Sequence, residues 1–448
     1  MILWRNRRVF LFAVVVFLCC TMIGCSRHDQ EPAALRPFLS GKATVAVQSP
    51  IHSANGEILR YDISLSRGSA RAWVFPDGSV FWCEESTESF ELDLSGFSNS
   101  SGKHLNESDL RSPFLAAGSG KSALIQPPLA RALGGLDGTN YLAADQENGT
   151  ISKHGGKVTV EFDGACADWW AYLTPSELSD VSWLSQCTVE KFGDANRMTK
   201  NGYYYKTPSN YIPSGENSFY LLPAAHISGK LAHSNAHHAN QMAVAMLDIQ
   251  SEHYNQAGFI PTYPASDWLS RDYGVGAGFY DTRFNTDIAY AYWALGKKLR
   301  IAEFTDVATR YARFFADHAK KHGFATQNGI LAEDYSHPNG NKPTHTSLNH
   351  QLAEVLFLLE VGSDSDHELA YKLLAGIEDT AMSWIREDNN LHYAYYPDGT
   401  FGGTDYPYLT YNDLFALDRY LGGNEVLRSL MDAKRAWMDE CGITEYVK

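Results

Sequence analysis

The sequence has few cysteines and no metal-thiolate motif. Of its seven cysteines, three lie within residues 1–25. The others are Cys83, Cys166, Cys187 and Cys441, and none of them stands in a CxxC spacing. Zinc–thiolate and thioredoxin-like chemistry are therefore disfavoured. Of the possible pairings, Cys166 with Cys187 is favoured because it closes a short loop.

Positive charge is also scarce. Lysine and arginine number 37 against 52 acidic residues, for a formal net charge of −15. A chain this acidic is not a nucleic-acid binder by bulk electrostatics. The GVGAG run at 274–278 is not a phosphate cradle, since no strand-to-helix motif surrounds it. The sequence predicts no nucleic-acid partner, and any positive group that meets an anionic substrate must be local.

A long apolar run is missing as well. Residues 9–23 form an apolar stretch of about 15 residues, shorter than the roughly 18 that a membrane-spanning helix needs. The stretch follows a basic segment and ends in Met-Ile-Gly-Cys at 22–25, which resembles the lipobox of bacterial lipoproteins. The resemblance implies a signal peptide over 1–25, lipidation of Cys25, and a membrane partner through that lipid. The alternatives are an ordinary cleaved signal and an uncleaved anchor.

Ser26, after the cysteine, carries no acidic retention signal, so an outer-membrane lipoprotein facing the periplasm or the cell surface is expected. Residues 26–41 are polar and are predicted to be a linker. The mature chain exceeds one usual domain, and two are expected.

Short runs of β-branched and aromatic residues, separated by turn residues, fill residues 42–205. They predict an antiparallel β-rich domain. The segment VFPDGSVFW, with Asp77-Gly78 between alternating apolar residues, is a hairpin signal. The stretch 98–150 has a weaker pattern and is predicted to be a long loop region with short helices.

From about residue 218 the apolar residues recur at helical spacing, as in the stripe Leu348, Leu352, Val355 and Leu359. Helical hairpins joined by aromatic loops suggest an incomplete (α/α) toroid over 206–448. The predicted fold class is therefore α+β and multidomain, with an N-terminal antiparallel β domain followed by this toroid.

Three segments share one layout, in which a polar or aromatic loop leads through Thr, Ser or Asn into an apolar helix. They are FYDTRFNTDIAYAYWAL (279–295), THTSLNHQLAEVLFLL (344–359) and DYPYLTYNDLFALDRYL (405–421). If inner helices start at the cleft, their positive N-terminal ends meet at one rim. That rim would hold Arg283, Asn285, Asn349, His350, Tyr411 and Asn412. For any single residue, a helix cap is an equally good interpretation.

Residues 279–422 resemble the C-terminal catalytic domain of D-glucuronyl C5-epimerases. The three blocks that carry the resemblance are FYDTRFNTDIAYAYWAL, LAEDYSHP with THTSLNHQLAEVLFLLE, and NLHYAYYPDG with DYPYLTYNDL, in the family's order. The sequence departs from the family at 281–287, at 394–396 and at 407–410. The resemblance implies conversion of glucuronate to iduronate in a polysaccharide, with Glu333 or Asp334, Tyr335, Tyr393 and Tyr406 at the catalytic positions.

Epimerisation at C5 removes a proton next to a carboxylate and returns one to the opposite face. An arginine can neutralise that carboxylate, and Arg283 is the candidate, with Arg271 in reserve. Tyr335 is assigned to one face, and Tyr393 or Tyr406 to the other. A tyrosine can act as the base only if its pKa is lowered by nearby positive charge or donors. The residues expected to bind substrate are Arg283, Asn285, Tyr280, Asn349, His350, Tyr396, Tyr408, Tyr411 and Asn412.

Other readings remain open. A polysaccharide lyase shares the first step but expels the O4 substituent, and a non-catalytic exopolysaccharide-binding or export lipoprotein needs no acid or base. A glycosidase is disfavoured because no clean carboxylate pair stands out. His233, His237 and His238 have metal-like spacing but lack the HExxH glutamate, so caps or cleft residues are preferred. No metal or cofactor is predicted, although a structural divalent cation is left open. The expected partner is an anionic uronate-containing polysaccharide, and a homodimer is left open.

Overall fold

A computed structural model describes residues 33–39, 42–94, 102–105, 112–131, 140–142, 149–154, 157–178, 183, 196–215 and 218–447. Cys25 and the signal segment lie outside this part of the chain, as does Cys187. The lipidation and the Cys166–Cys187 pairing therefore stay predictions.

The β-strands precede most of the helices. Their bounds are Ala43–Ser53 (β1), Gly56–Leu65 (β2), Gly68–Val74 (β3), Val80–Ser86 (β4), Phe90–Asp93 (β5), Gly102–His104 (β6), Phe114–Gly118 (β7), Lys121–Ile125 (β8), Leu129–Arg131 (β9), Asn140–Leu142 (β10), Thr150–His154 (β11), Lys157–Glu161 (β12), Cys166–Thr174 (β13), Asn196–Thr199 (β14), Gly202–Lys206 (β15), Tyr211–Ile212 (β16), Ser218–Leu221 (β17), Ala265–Ser266 (β18), Tyr280–Asp281 (β19), Gly323–Ala325 (β20), Ile330–Ala332 (β21), Tyr335–Ser336 (β22), Thr346–Ser347 (β23), Ala394–Tyr395 (β24) and Phe401–Gly402 (β25).

The largest sheet is antiparallel, with the order β1-β2-β3-β4-β13-β8-β7-β6 and with β9 also paired to β13. The hairpin predicted at Asp77-Gly78 is confirmed. It joins β3 to β4, with Phe75 and Ser79 hydrogen-bonded across it and Gly78 at a φ of 84° that favours glycine. A four-stranded sheet (β10-β17-β15-β14) and a three-stranded sheet (β11-β12-β5) lie beside it.

Two expectations for this region differ from the structure. Where it is described, the stretch 98–150 forms strands β6 to β10 instead of short helices. The strands also continue past residue 205, because β17 pairs with β10 and β15. Part of the predicted linker is packed, since Leu35 and Phe38 are buried and the Phe38 ring stacks on Trp82 with centroids 4.5 Å apart.

The helices follow β17. Their bounds are Ser228–His233 (α1), His237–Ser251 (α2), Asp267–Tyr273 (α3), Thr282–Leu299 (α4), Ala302–Lys321 (α5), Leu348–Val361 (α6), Asp364–Trp384 (α7), Leu409–Leu421 (α8) and Glu425–Glu440 (α9). A short 3₁₀ helix spans Ala33–Leu35. Within the described ranges no helix has both the length and the apolar character to cross a membrane.

Consecutive helices form antiparallel hairpins in two layers. Helix α4 packs on α5, α6 on α7, and α8 on α9. Helices α4, α6 and α8 lie side by side, and behind them α7 contacts both α5 and α9. Helix α6 is buried on nearly all sides, as an inner helix should be. The mixed α and β composition is confirmed, and none of the sheets described closes into a barrel.

One hydrophobic cluster continues from the large sheet into the helices. Successive residues of β4 alternate between the two faces, so Phe81 faces the helices whereas Trp82 packs in a separate cluster on the far face. Helix α2 lies on the first face. Its Asp248 accepts hydrogen bonds of 2.8 Å from Arg60 and from the Trp73 indole. The sheet therefore supports the helical layer from which the candidate site is built.

Candidate functional site

Two-residue strands tie together the loops that lead into the inner helices. Strand β19, just before α4, pairs with β22. Strand β23, just before α6, pairs with β24, which also pairs with β25. The start of α8 follows this group along the chain. The shared layout of the three segments therefore does bring loops from distant parts of the sequence to one end of the helical layer.

Asp334 lies at the centre of this region and is fully buried. Its carboxylate accepts hydrogen bonds from the backbone N–H of Ser347, at 2.9 Å, and from the Ser347 hydroxyl. The ring nitrogens His345 Nε2 and His350 Nδ1 lie 3.4 and 3.5 Å from its two oxygens. Burial raises the pKa of Asp334, and the bonds from Ser347 partly oppose that shift. The carboxylate is therefore held by residues just before α6 and lies close to His350 in the first turn of that helix.

The predicted catalytic tyrosines lie next to one another. Tyr335 is buried, Tyr393 is half-buried, and Tyr406 is 47% exposed. The rings of Tyr393 and Tyr406 are 5.8 Å apart and perpendicular. Hydrogen bonding from Ser347 and Tyr335 lowers the pKa of Tyr393 against the larger effect of burial. The three phenols thus lead from the solvent to the Asp334 region.

The expected lowering of the tyrosine pKa is not found. Burial raises the pKa of Tyr335, Tyr393 and Tyr406, and neighbouring carboxylates such as Asp334 raise it further. The three phenols are therefore protonated at neutral pH, which suits them to donate protons and not to remove them.

His345 is the residue that the sequence analysis missed. It is buried, and its ring lies within 6 Å of five aromatic rings. Burial lowers its pKa to about 4, so it is uncharged at neutral pH. Its place just before α6, in THTSLNH, was visible in the sequence, but its neighbours were not. We call this group the aromatic cluster; its rings around His345 belong to Trp268, Tyr273, Tyr335, Tyr393 and Tyr396.

Arg283 is not positioned as expected for a carboxylate-binding residue. Its guanidinium donates to both oxygens of Asp287, to both oxygens of Asp413, and to the backbone carbonyl of Asn349. These bonds tie α4 to α6 and α8. The two carboxylates already neutralise the guanidinium, so Arg283 joins the inner helices together and has no charge left to pair with a substrate carboxylate. The reserve candidate, Arg271, is exposed and pairs with the adjacent Asp272 at 2.8 Å.

Glu333 and Asp334 point to different neighbours. Glu333 accepts a 2.7 Å hydrogen bond from the backbone of Thr344, and its other oxygen lies 4.0 Å from His322. Burial raises its pKa. Of the two acids that the sequence left open, Asp334 is the one beside the aromatic cluster.

Tyr280 and Asn285 occupy structural positions. Tyr280 is completely buried, and its hydroxyl lies 2.8 Å from that of Tyr311. The Asn285 amide accepts from the backbone N–H of Ile260 at 2.8 Å and donates to its carbonyl at 3.1 Å. Both therefore correct the expectation of substrate contact, because neither presents a free polar group to the cluster.

Tyr411 and Asn412 are directed to the C-terminal segment. Tyr411 is buried, and its hydroxyl accepts hydrogen bonds from Arg435. Asn412 accepts a 3.0 Å hydrogen bond from the backbone of Val447. Their position near the start of α8 is as expected. The burial and partner of Tyr411 correct its assignment to the substrate rim, whereas that of Asn412, which is half-buried with only its side-chain oxygen engaged, stays a prediction.

Four predicted substrate residues remain, of which His350 and Tyr396 lie beside the aromatic cluster. His350 is buried, with Nδ1 2.8 Å from the Thr282 hydroxyl. Asn349 has a buried side-chain oxygen with no hydrogen-bond partner among the described residues. Tyr396 lies 5.9 Å from His345, and Tyr408, at the N-cap of α8, is 36% exposed. Their contacts with a substrate stay predictions.

The three histidines with metal-like spacing have separate partners. The His233 ring packs on Tyr290, His237 lies 3.1 Å from Asp77, and His238 lies 2.7 Å from the Tyr172 hydroxyl. In the ranges the structure describes, no group of three or more His, Cys, Asp or Glu side chains is arranged to hold a metal ion.

No protein-family model and no curated protein matches the chain. Among solved structures, a D-mannose isomerase is 11% identical, covering 48% of this chain and 59% of its own, with a TM-score of 0.36. Cellobiose 2-epimerase from Spirochaeta thermophila is 16% identical, covering 48% and 57%, with a TM-score of 0.36. A polysaccharide lyase is 11% identical, covering 92% and 63%, with a TM-score of 0.28.

These neighbours are carbohydrate-processing enzymes, and this chain spans less than two thirds of the length of each. At such identities and TM-scores, the similarity assigns neither a fold nor an activity to this chain.

Proposed function

We propose that the protein is a uronate C5-epimerase that converts D-glucuronate to L-iduronate residues in a bacterial polysaccharide. The observation that supports this is the grouping of Tyr335, Tyr393 and Tyr406 with His345 beside the buried carboxyl of Asp334. These residues come from two connections between helices, residues 322–347 and 385–408, and meet only through the fold. Acid and base groups gathered at an aromatic surface are what proton transfer on a sugar requires.

In this proposal Tyr406 is the proton donor. It is the most exposed of the three phenols, and its raised pKa keeps it protonated at neutral pH. Tyr393 and Tyr335 lie behind it and lead to Ser347 and Asp334. Exposed Tyr408 and half-buried Tyr396 offer faces on which sugar rings can stack.

The proposal includes the setting of the enzyme. The two layers of helical hairpins form an incomplete (α/α) toroid, preceded by a β-rich domain, and the lipid on Cys25 anchors the protein to the outer membrane. The polysaccharide is then met outside the cytoplasm, and no cofactor takes part.

Polysaccharide lyase activity is the second candidate. The rings of Tyr393 and Tyr406 lie only 5.8 Å apart. On one side of a sugar, one of two neighbouring phenolic groups takes the C5 proton once it has lost its own, and the other protonates the leaving O4 oxygen. The same contacts therefore favour elimination if no group acts on the opposite face.

One assay separates the two reactions. The protein is incubated with a glucuronate-containing polymer in D₂O, and NMR and ultraviolet absorbance are followed together. Epimerisation gives deuterium at C5 and iduronate signals with no unsaturated product. A rise in enoate absorbance would instead establish the lyase. Binding without either change would support a non-catalytic export protein.

Tyr406→Phe tests the assigned proton donor. Removal of its hydroxyl should lower the rate of C5 exchange by about 10²–10⁴-fold, the usual contribution of a well-placed acid. Tyr371→Phe is the matched control. Tyr371 is 57% exposed and lies on α7, in the outer layer of helices, whereas the candidate site is at the ends of the inner helices. Equal rates for both variants would remove Tyr406 from the mechanism.

A further inference from the structure

We propose that Lys342 binds a uronate carboxylate of the polymer at the exposed edge of the aromatic cluster, and that this ion pair makes the site prefer uronate polymers over neutral ones. The inference rests on the proposed function, because it concerns the substrate of the same site. Lys342 is assigned the recognition of substrate charge and takes no part in proton transfer.

The overall charge of the protein opposes the binding of an anionic polymer. The formal net charge is −15, so an anion is attracted only where a positive group is local and lacks an acidic partner. Hydrogen bonds from a cation to a carboxylate are about twice as strong as those between neutral groups. A cation with its charge still available is therefore needed near the aromatic cluster.

Three segments of the chain build the aromatic cluster, namely helix α3 and the connections 322–347 and 385–408. Together they contain three lysine or arginine residues, which are Arg271, Lys342 and Arg386. Arg271 pairs with Asp272 at 2.8 Å, and Arg386 pairs with Asp388 at 3.2 Å. Of the cations on these segments, Lys342 is thus the one whose charge is left to be explained.

Lys342 is exposed and has no acidic partner of its own. Its Nζ lies 3.5 Å from the backbone carbonyl of Asp272. The hydrogen bond from Arg271 lowers the pKa of Asp272, and the charge of Lys342 adds to that effect. Both oxygens of Asp272 nevertheless accept hydrogen bonds from Arg271. Among the residues that the structure describes, no carboxylate lies within ion-pair distance of Lys342 Nζ, so its charge is available to a ligand.

The main chain holds Lys342 beside the aromatic cluster. Its backbone N–H donates a 2.9 Å hydrogen bond to the carbonyl of Tyr273. The Asn341 side chain accepts from the backbone of His337 at 2.8 Å and donates to the Lys342 carbonyl at 2.6 Å. The Tyr273 ring lies 5.7 Å from that of His345, inside the cluster. The backbone of Lys342 is therefore fixed next to the cluster, whereas its exposed side chain is free to turn.

This position suits a sugar that stacks on the edge of the cluster. Tyr273 and Tyr396 are both half-buried, and they are close neighbours, since burial raises the pKa of Tyr273 to about 12 and Tyr396 contributes to that rise. A sugar ring stacked on such faces keeps its polar substituents at its rim. The flexible four-carbon stem of lysine can bring the ammonium group to a carboxylate there. A neutral sugar offers no charge at that point.

The test compares binding to two polymers that differ only in charge. The probes are a glucuronate-containing polymer and the same polymer after reduction of its carboxyl groups to hydroxymethyl groups. In isothermal titration calorimetry, the wild type should bind the uronate polymer more tightly. Lys342→Gln should weaken that binding by about 3–10-fold and leave binding to the reduced polymer unchanged. Lys342→Arg should restore the preference, because it restores the charge.

Lys297→Gln is the matched control. Lys297 is exposed in the last turn of α4, whereas the candidate site lies at the start of that helix. This variant should bind both polymers as the wild type does. The difference between Lys342→Gln and the wild type should also shrink at high salt, since an exposed ion pair is screened. A merely structural effect of the substitution would persist at high salt.

Two results overturn the assignment. One is an unchanged affinity of Lys342→Gln for the uronate polymer, and the other is a wild type that does not distinguish the two polymers. In the D₂O assay, Lys342→Gln should raise KM for C5 exchange and leave kcat nearly unchanged. If the wild type binds the uronate polymer selectively but shows no exchange, the proposed function fails, whereas the role of Lys342 in binding stands.

Discussion

At the scale of single residues, burial decides which side chains are charged. His318, on α5, is buried, and its Nε2 lies 2.8 Å from the backbone carbonyl of Glu333. Burial lowers its pKa to about 3, whereas an unfolded histidine titrates near about 6.5. The unfolded state therefore binds more protons below about pH 6.5, and the stability that His318 contributes above that pH is lost as the pH falls toward about 3.

This linkage gives a prediction. Between about pH 7.5 and pH 5, the wild type should lose about 2 kcal/mol more free energy of unfolding than His318→Gln does. Urea unfolding of both proteins at the two pH values measures the difference. Buried carboxyls with raised pKa values, such as Asp281, change stability with pH in the opposite direction. Their contribution cancels in the comparison, because both proteins contain them. Parallel pH profiles for the two proteins would show that His318 is not kept neutral by the fold.

At the scale of the elements, α9 holds the loop that carries Tyr406. Its Lys434 is completely buried, with Nζ 2.8 Å from Asp405, 2.5 Å from the Asn390 side chain and 2.7 Å from the Tyr406 carbonyl. Lys434→Met should cost about 3–5 kcal/mol, because it leaves the buried Asp405 carboxylate without its cationic partner, with only the Thr410 hydroxyl donating to it. Denaturant unfolding measures the loss. The control is the double variant Lys434→Met with Asp405→Asn, which should recover part of it.

At the scale of the whole molecule, the sheet and the helices share one hydrophobic cluster, and Asp248 joins them through Arg60 and Trp73. We therefore expect one cooperative thermal transition, with a calorimetric enthalpy close to the van't Hoff enthalpy. Differential scanning calorimetry tests this. Asp248→Ala should lower the transition temperature, because it removes the acceptor of the Trp73 indole and one of the two acceptors of the Arg60 guanidinium. Two resolved transitions in the wild type would mean that the sheet and the helices fold separately.

The local features of the fold were predictable because they depend on nearby residues. The Asp77-Gly78 turn follows from the conformational freedom of glycine. The starts of α4, α6 and α8 follow from the switch to helical periodicity after short polar residues. The proximity of Tyr335, Tyr393 and Tyr406 was expected from a resemblance, and their catalytic roles remain predictions.

What could not be predicted depends on contacts between distant segments. Asp287 stands four residues after Arg283 and is visible as a helical pair, but Asp413 comes from another helix, and together they occupy the guanidinium. The surroundings of His345 could not be predicted either, because Trp268, Tyr273 and Tyr393 come from other segments and contact it only in the folded chain. The tyrosine pKa values are raised because the side chains are buried, and the spacing of residues in the sequence does not predict that burial.

The aromatic cluster and the tyrosines at its edge all lie between Trp268 and Tyr408, with the large sheet entirely upstream. One uninterrupted stretch of the gene therefore encodes every side chain that we assign to the chemistry. Recombination that exchanged this stretch would transfer the site in one piece. The upstream sheet could meanwhile diverge, provided that it still covered α2.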